Sequence, residues 1–487
     1  MKKMKINIKI FLVMILFIGI GSCTKDFEEM NVDPNNPAVA PATNLLAHSI
    51  RYFADNYYND WMNMNNCAGY SGQIGKIQYI DEARYQYRGG VVNNAWYYVY
   101  SVNMDLEKAK GLALEEGAVP NTNLKAACMT LQNYIWLIAT DTWKDIPYSQ
   151  ALIGEEGVTN APYDSQEDVY AGIITDLKAA ADLFAADDAA GDLGEGDVLN
   201  NGDVAQWQKF CNSLRLRIAI RISGIDNAKA KTIFTEVLGD PVKYPVLESN
   251  DDNVMLNWPG AAPYKEPWKE NSETRDDHGM ANTLIDLLKA NNDPRLSVYA
   301  HPALNDGEYR GVVVGAENGS FVLGDISRIG ARFRDNATGF TPFFRYAEVC
   351  FLKAEAYKLG LYTGDAQVAY EDGVKASLTE NEITDEAYLL EPGVVWSDNI
   401  EQIWYEKWIS LFKQGHELWA CTRRTDYPLM TAAPFSVYSG HSRPPFRFPY
   451  PTDEVNLNGA NITPHMAGIA DHFWGQQMWW DQRTGVQ

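Results

Sequence analysis

The stretch GDVAQWQKFCNSLRLRIAIRI, residues 202–222, sets the strongest limit on the fold. Val204, Trp207, Cys211, Leu214 and Ile218 recur at steps of three and four, so a helix gathers them on one face, opposite Gln208, Lys209, Asn212 and Arg215. Such a face must lie against neighbours, and the chain supplies them. A second helix is predicted after PYDSQEDVY (162–170). There Ser165 caps the first turn, Asp168 reaches back to it, and Val169, Ile173, Leu177 and Leu183 carry the buried stripe. Further helices are predicted near 97–115, 122–140, 343–359, 366–378 and 400–414. Residues 225–342 and 416–487 differ: they are rich in Pro, Gly, Asn and Asp, have few sustained periods, and read as loops, short strands and small helices laid over the helical part.

One helical pair shows faint repetition. Ala354, Tyr357, Ala366, Tyr370 and Gly373 fall at the steps between the small and aromatic positions of a tetratricopeptide repeat, although Cys350 and Leu378 occupy that repeat's tryptophan and proline positions. The loop GLYTGD (360–365) has the length an antiparallel pair needs. Since one pair cannot bury its own apolar face, neighbouring pairs must stack on it. The expected fold is therefore mostly α: a tetratricopeptide-like scaffold of helical pairs, an α-α superhelix, with a loop-rich, irregular part facing the ligand.

The N-terminus concerns address rather than fold. Lys2, Lys3, Lys5 and Lys9 precede the apolar run Ile10–Ile20, which is too short to span a bilayer and reads as a signal peptide, residues 1–22. Gly21 and Ser22 then precede Cys23, the pattern a lipoprotein signal peptidase needs, so Cys23 is the expected lipidated N-terminus of the mature chain. The alternative is an ordinary secretory signal with a cysteine nearby. Removing the signal takes four lysines and no acid, which moves the formal charge from −23 to −27. A chain this acidic repels phosphate backbones and anionic lipid, so nucleic-acid binding is not expected and the acyl chains are the only expected membrane attachment. Cys67, Cys128, Cys211, Cys350 and Cys421 form no CxxC pair and are odd in number; they read as buried small hydrophobes rather than a disulfide framework or metal site.

Taken in order along the chain, several segments resemble the SusD/RagB-like nutrient-binding outer-membrane lipoproteins of Bacteroidetes. They are Cys23 with NVDPNNP (31–37), DTWKDIPYSQAL (141–152), the 202–223 helix, NDPRLSVY (292–299), FRYAEVCFLKAEA (344–356), IWYEKWISLF (403–412), RRTDYP (423–428), PPFRFPYPTDEVNLN (444–458) and WWD (479–481). The acidic run Thr24–Glu29 likewise resembles the surface-export signal of such lipoproteins. The resemblance implies one SusD-like domain over 45–487, behind a lipidated tether at 23–44. The helical scaffold would cover about 45–224 and 343–415, and the loop-rich parts about 225–342 and 416–487. It further implies a lipid-anchored protein exposed at the surface of the outer membrane, partnered with a SusC-like TonB-dependent transporter. In that pairing the lipoprotein captures oligosaccharide, or in some members peptide, and delivers it to the transporter.

Most matching segments have a structural explanation: Asn212 and Ser213 can satisfy nearby backbone, Arg423 and Arg424 can pair with carboxylates between helices, and the prolines of PPFRFPYP fix an extended path. Binding residues are expected in the less patterned loops. Sugars present apolar C–H faces and hydroxyl rims, so their sites need exposed rings and planar polar groups. The stretch 69–90 supplies Tyr70, Tyr79, Tyr85 and Tyr87 with Arg84 and Arg88; the stretch 257–279 supplies Trp258, Tyr264 and Trp268 with Asp277 and His278; Arg332 is a weaker candidate. The competing reading is that these rings are buried and anchor the loops.

Enzymatic readings find little support. HExxH, GxSxG, P-loop and dinucleotide-binding patterns are absent, and the seven histidines have no metal-ligand spacing. A surface-anchored glycoside hydrolase is kept as an alternative, but acid pairs such as Asp141 and Asp145 read as solvated or capping. No cofactor is expected. Asn250–Asp252 could offer oxygens to a structural Ca²⁺, without EF-hand spacing to support one.

Overall fold

The computed structural model describes residues 40–115, 119–466 and 473–486. The signal segment, Cys23 and nearly all of the 23–44 tether lie outside the described residues. Six helices open the fold: α1 (Ala42–Tyr57), α2 (Gly89–Glu115), α3 (Thr122–Trp143), α4 (Gln166–Phe184), α5 (Val204–Ile222) and α6 (Asn227–Gly239). Each packs on the next in sequence. Two short helices, α7 (Pro267–Ser272) and α8 (Asn282–Ala290), lie in the loop-rich middle, and α9 (Tyr346–Lys358), α10 (Ala366–Glu380), α11 (Ile400–Ser410) and α12 (Gly415–Thr425) follow. The fold is mostly helical, as the apolar periods predict.

Local chemistry accounts for the helix starts. Ser165 accepts from the Asp168 amide at 3.2 Å and donates to its carboxylate at 2.6 Å, while Asn121, Asp203, Asp226 and Asp365 cap α3, α5, α6 and α10. The α9–α10 pair crosses closely because Gly373 has no Cβ: one built there would lie 2.7 Å from the Phe351 ring.

Three boundaries differ from the sequence expectation and one helix is added: the helix predicted near 97–115 already begins at Gly89, and the 13-residue α6 lies inside the segment 225–342 read as loop-rich. The predicted 400–414 helix stops at Ser410, because Lys413 adopts φ 74°, and the chain restarts as α12 inside the segment read as loop-rich. Nine of the eleven α12 residues are buried, the charged Glu417 and Arg423 among them.

The main core runs through α1–α6, takes in Phe343 and Phe344 from the strand Phe340–Phe344, and is closed by Trp474 and Trp480 from the C-terminal segment. A second cluster, with Trp268, Trp408, Phe412 and Leu284, joins the loop-rich part to α11 and α12. Between the helices lies a buried ion network. Arg217 donates to both Glu348 oxygens at 2.7 Å, and Arg221 binds Glu417 at 2.5 Å and also Asp141. Asp141 further accepts from Tyr170 at 2.6 Å and from Trp480 at 2.8 Å. Asp141 is thus neither solvated nor a cap: it is a buried counter-ion tying α3 to α5. Asp145 does cap, accepting the Gln166 amide at 2.9 Å. Arg424 pairs with Glu355 through both its oxygens, whereas Arg423 meets no carboxylate among the described residues and lies 3.7 Å over the Trp419 ring.

Candidate functional site

An antiparallel ladder joins the two aromatic loops singled out in the sequence. Strand β1 (Ile74–Lys76) pairs with β2 (His278–Met280), with Gly75 opposite Gly279. The pairing continues outward: the Ile77 amide donates to the Asp277 carbonyl at 2.8 Å, and the Gln78 side chain to the Asp276 carbonyl at 2.9 Å. The segment 310–328 presses on this ladder through Ile77, Val312 and Ile326. Gly75 permits the contact, since a Cβ there would lie 2.5 Å from Val312 Cγ1.

The ladder presents Tyr79 outward, 66% exposed at φ 50°. The Arg275 guanidinium lies 5.6 Å from the ring centroid. Beside it, Arg328 grips Asp276 in a fork with both distances 2.8 Å, and Arg334 adds a third bond at 3.2 Å. These bonds, the Arg328 hydrogen bond foremost, hold the Asp276 carboxyl below its ordinary range. Beneath, Asp277 faces Lys76 at 3.5 Å and Arg275 at 3.7 Å. His278 is buried and hydrogen-bonds Asn65 at 2.7 Å; desolvation first, then the Lys76 charge, holds its ring well below the usual imidazole range and so neutral. Chemically, this face offers one free ring surrounded by planar donors and acceptors on short, pinned loops.

Six of the twelve sequence candidates are buried. Tyr70 and Tyr85 pack edge to face at 5.6 Å, against Trp419 and Trp474, and Tyr85 accepts the Ala433 amide at 2.9 Å. Trp268 has no exposed surface; it donates to the Tyr58 carbonyl at 2.8 Å and carries Lys413 over its ring at 5.0 Å. Trp258 donates to Thr341 at 2.9 Å. Together with Asp277 and His278, Tyr70, Tyr85 and Trp268 hold the loops to the core, whereas Trp258, 4% exposed, also lines the groove beside α1 in which Tyr264 lies. Arg84 braces the Ala316 carbonyl at 2.8 Å beneath Phe435, and Arg332 braces Glu382 at 3.0 Å and the Glu380 carbonyl at 2.8 Å. Arg88 pairs with Glu82, and Tyr87 is half-buried with its hydroxyl 3.3 Å from Thr452. Tyr264 is exposed in a separate groove of about 540 Å³ beside α1, lined also by His48, Arg51 and Tyr52, with the Arg51 guanidinium 4.8 Å over its ring. Sequence reading passed over Arg275, Arg328 and Arg334; for Arg275 and Arg334 the signal was the density of charge in ETRDD and ARFRD, which does not say what meets what, and Arg328 in ISRIG had none.

Among the described residues, no group of three or more His, Cys, Asp or Glu could hold a metal ion, and the five cysteines are buried and free. No helix there is long and apolar enough to cross a membrane.

A mostly helical body carrying its exposed ring on laddered loops agrees with the comparisons to known proteins. Residues 34–451 match the SusD-like family, described as starch-binding and associating with the outer membrane, and the chain belongs to that family. Its fold is similar to that of a SusD-like protein from Bacteroides thetaiotaomicron (TM-score 0.78, 24% identity, covering 92% of this chain and 100% of the other). It is also similar to a chitin-binding SusD homologue from Flavobacterium johnsoniae (TM-score 0.77, 23% identity, covering 90% and 98%), and to a Bacteroidetes SusD-like structure (TM-score 0.78, 23% identity, covering 91% and 100%). A comparison with curated proteins finds no match.

Proposed function

We propose that this protein is a non-catalytic glycan-binding lipoprotein of the outer cell surface. Anchored through Cys23, it captures oligosaccharide on the Tyr79 face and hands it to a SusC-like TonB-dependent transporter. The observation that carries the reading is the exposed Tyr79 ring beside Arg275 and the Asp276–Arg328–Arg334 cluster. The ring stacks on the C–H face of a sugar while guanidinium and carboxylate edges meet its hydroxyls, and pinned loops keep the ordering cost of binding low. Family membership supports the ligand class, and the relative described as chitin-binding extends it beyond starch. Hydrolysis is disfavoured because Asp141 is consumed by Arg221, Tyr170 and Trp480, and Asp145 by a helix cap and His465.

Calorimetric titration with malto- and chito-oligosaccharides and with short peptides tests this. Saturable sugar binding, weakened in Tyr79→Ala and Arg275→Ala, supports it. Binding of peptides alone would place the protein among peptide importers, and release of reducing sugar would overturn the non-catalytic reading.

A further inference from the structure

A cleft of about 810 Å³ opens between α2, α3 and residues 148–156, and no residue of the Tyr79 face lines it. That volume lies within the roughly 300–1,000 Å³ of ordinary small-ligand sites. Its floor is Trp136, Tyr148 and Leu152. Trp136 is only 4% exposed and is fixed edge-on between Tyr100 at 5.4 Å and Tyr148 at 5.5 Å. The eight other buried tryptophans each donate their indole N–H to a protein acceptor. Trp136 finds none among the described residues, so the donor that folding has nearly enclosed is left for whatever enters the cleft.

The rim is acidic. Five carboxylates line the cleft against the ammonium groups of Lys108 and Lys110, and Lys110 is already held by Glu107 at 2.7 Å and Gln132 at 2.8 Å. Glu115, Glu155 and Glu156 have no ion-pair partner among the described residues. Asp176, at the inner edge, accepts from the Tyr148 hydroxyl at 3.3 Å. An anionic ligand is repelled here and a cationic one attracted.

We propose that this cleft is a second binding site, for a short oligosaccharide bearing free amino groups. Its ammonium groups meet Glu115, Glu155 and Glu156, a hydroxyl or ring oxygen accepts the Trp136 N–H, and an apolar sugar face lies on Leu152 and Tyr148. The inference stands independently of the Tyr79 face, and its test separates the two.

The experiment is titration of the purified full chain with the glucosamine tetramer, its fully N-acetylated counterpart and the triamine spermidine, in about 150 mM salt to screen long-range attraction. The expected result is saturable binding of the glucosamine tetramer, about tenfold or more tighter than the acetylated form. Trp136→Phe, which keeps the ring and removes the donor, weakens it about fivefold. Glu155→Gln/Glu156→Gln, on the exposed rim where folding is not at stake, weakens it further, whereas Asp187→Asn/Asp188→Asn, an exposed acid pair outside the cleft, does not. Repeated in the Tyr79→Ala background, where the other face is silenced, the titrations keep the same order. The proposal is overturned if the tetramer does not bind, if both tetramers bind equally, or if the rim variant binds as well as the parent. Spermidine binding as tightly as the tetramer, with Trp136→Phe silent, would overturn the saccharide assignment.

Discussion

Tyr79 and Trp268 show how little residue type says about role. Both are aromatic, both lie in segments that the sequence reads as irregular loops and both are predicted contacts, yet one is 66% exposed and the other, in α7, has no exposed surface. Nothing local separates them: the loops have no period from which an inward face could be read, and the acceptor of the Trp268 N–H, the Tyr58 carbonyl, comes from 210 positions away. The two substitutions to Ala should therefore fail differently. Tyr79→Ala removes a stacking face at no structural cost, and oligosaccharide affinity falls about tenfold, the equivalent of about 1.4 kcal/mol, with the thermal midpoint unchanged. Trp268→Ala opens a cavity in the second core cluster and costs about 3–5 kcal/mol of stability. Calorimetric unfolding of both variants beside sugar titration separates the roles; an unchanged midpoint in Trp268→Ala would contradict its assignment as an anchor.

At the scale of elements, a wet face did not decide which helices were legible: α6 has one, with Ala230, Ile233, Phe234 and Val237 turned inward, and yet reads as loop in the sequence. α3 and α5 were legible although both are buried nearly all round, Asn212 and Arg215 of the expected polar face of α5 included, whereas α12, equally buried, was not, and the site ladder is only three residues on each strand, too short for a period-two signal. What makes β1 and β2 a platform is Gly75, which admits Val312. Gly75→Ala should force the 310–328 segment off the ladder, lowering stability by about 1–3 kcal/mol and weakening sugar binding although no ligand-facing side chain has changed. Because the clash is with one methyl group, adding Val312→Ala should restore much of both. If the double variant binds no better than Gly75→Ala alone, the ladder is not what positions Tyr79.

Across the whole molecule, the fold is held by groups whose partners lie far apart in sequence: Arg217 with Glu348, Arg221 with Asp141 and Glu417, and His416 with Tyr57. One sequence carries no record of such pairings, so Asp141 could only look like one more acid among 64. His416 turns this into a pH effect. It donates to the Tyr57 carbonyl at 3.0 Å inside the core, and desolvation lowers its ring to about 4 from the usual 6.5. As pH falls, the unfolded chain takes up this proton before the folded one does. The contribution of neutral His416 is thus complete above about pH 6.5, and is lost between there and about pH 4, to the extent of roughly 3 kcal/mol. Buried carboxylates shifted upward, such as Glu380, oppose this slope, so the informative quantity is a difference between proteins. Urea unfolding of the parent and of His416→Gln, which does not titrate there, should give curves whose separation is greatest at pH 7 and shrinks by a few kcal/mol toward pH 4. Parallel curves across that window would mean that His416 titrates in the fold as it does in the unfolded chain, and a separation that widens toward pH 4 would mean that the Tyr57 carbonyl holds an imidazolium rather than a neutral ring.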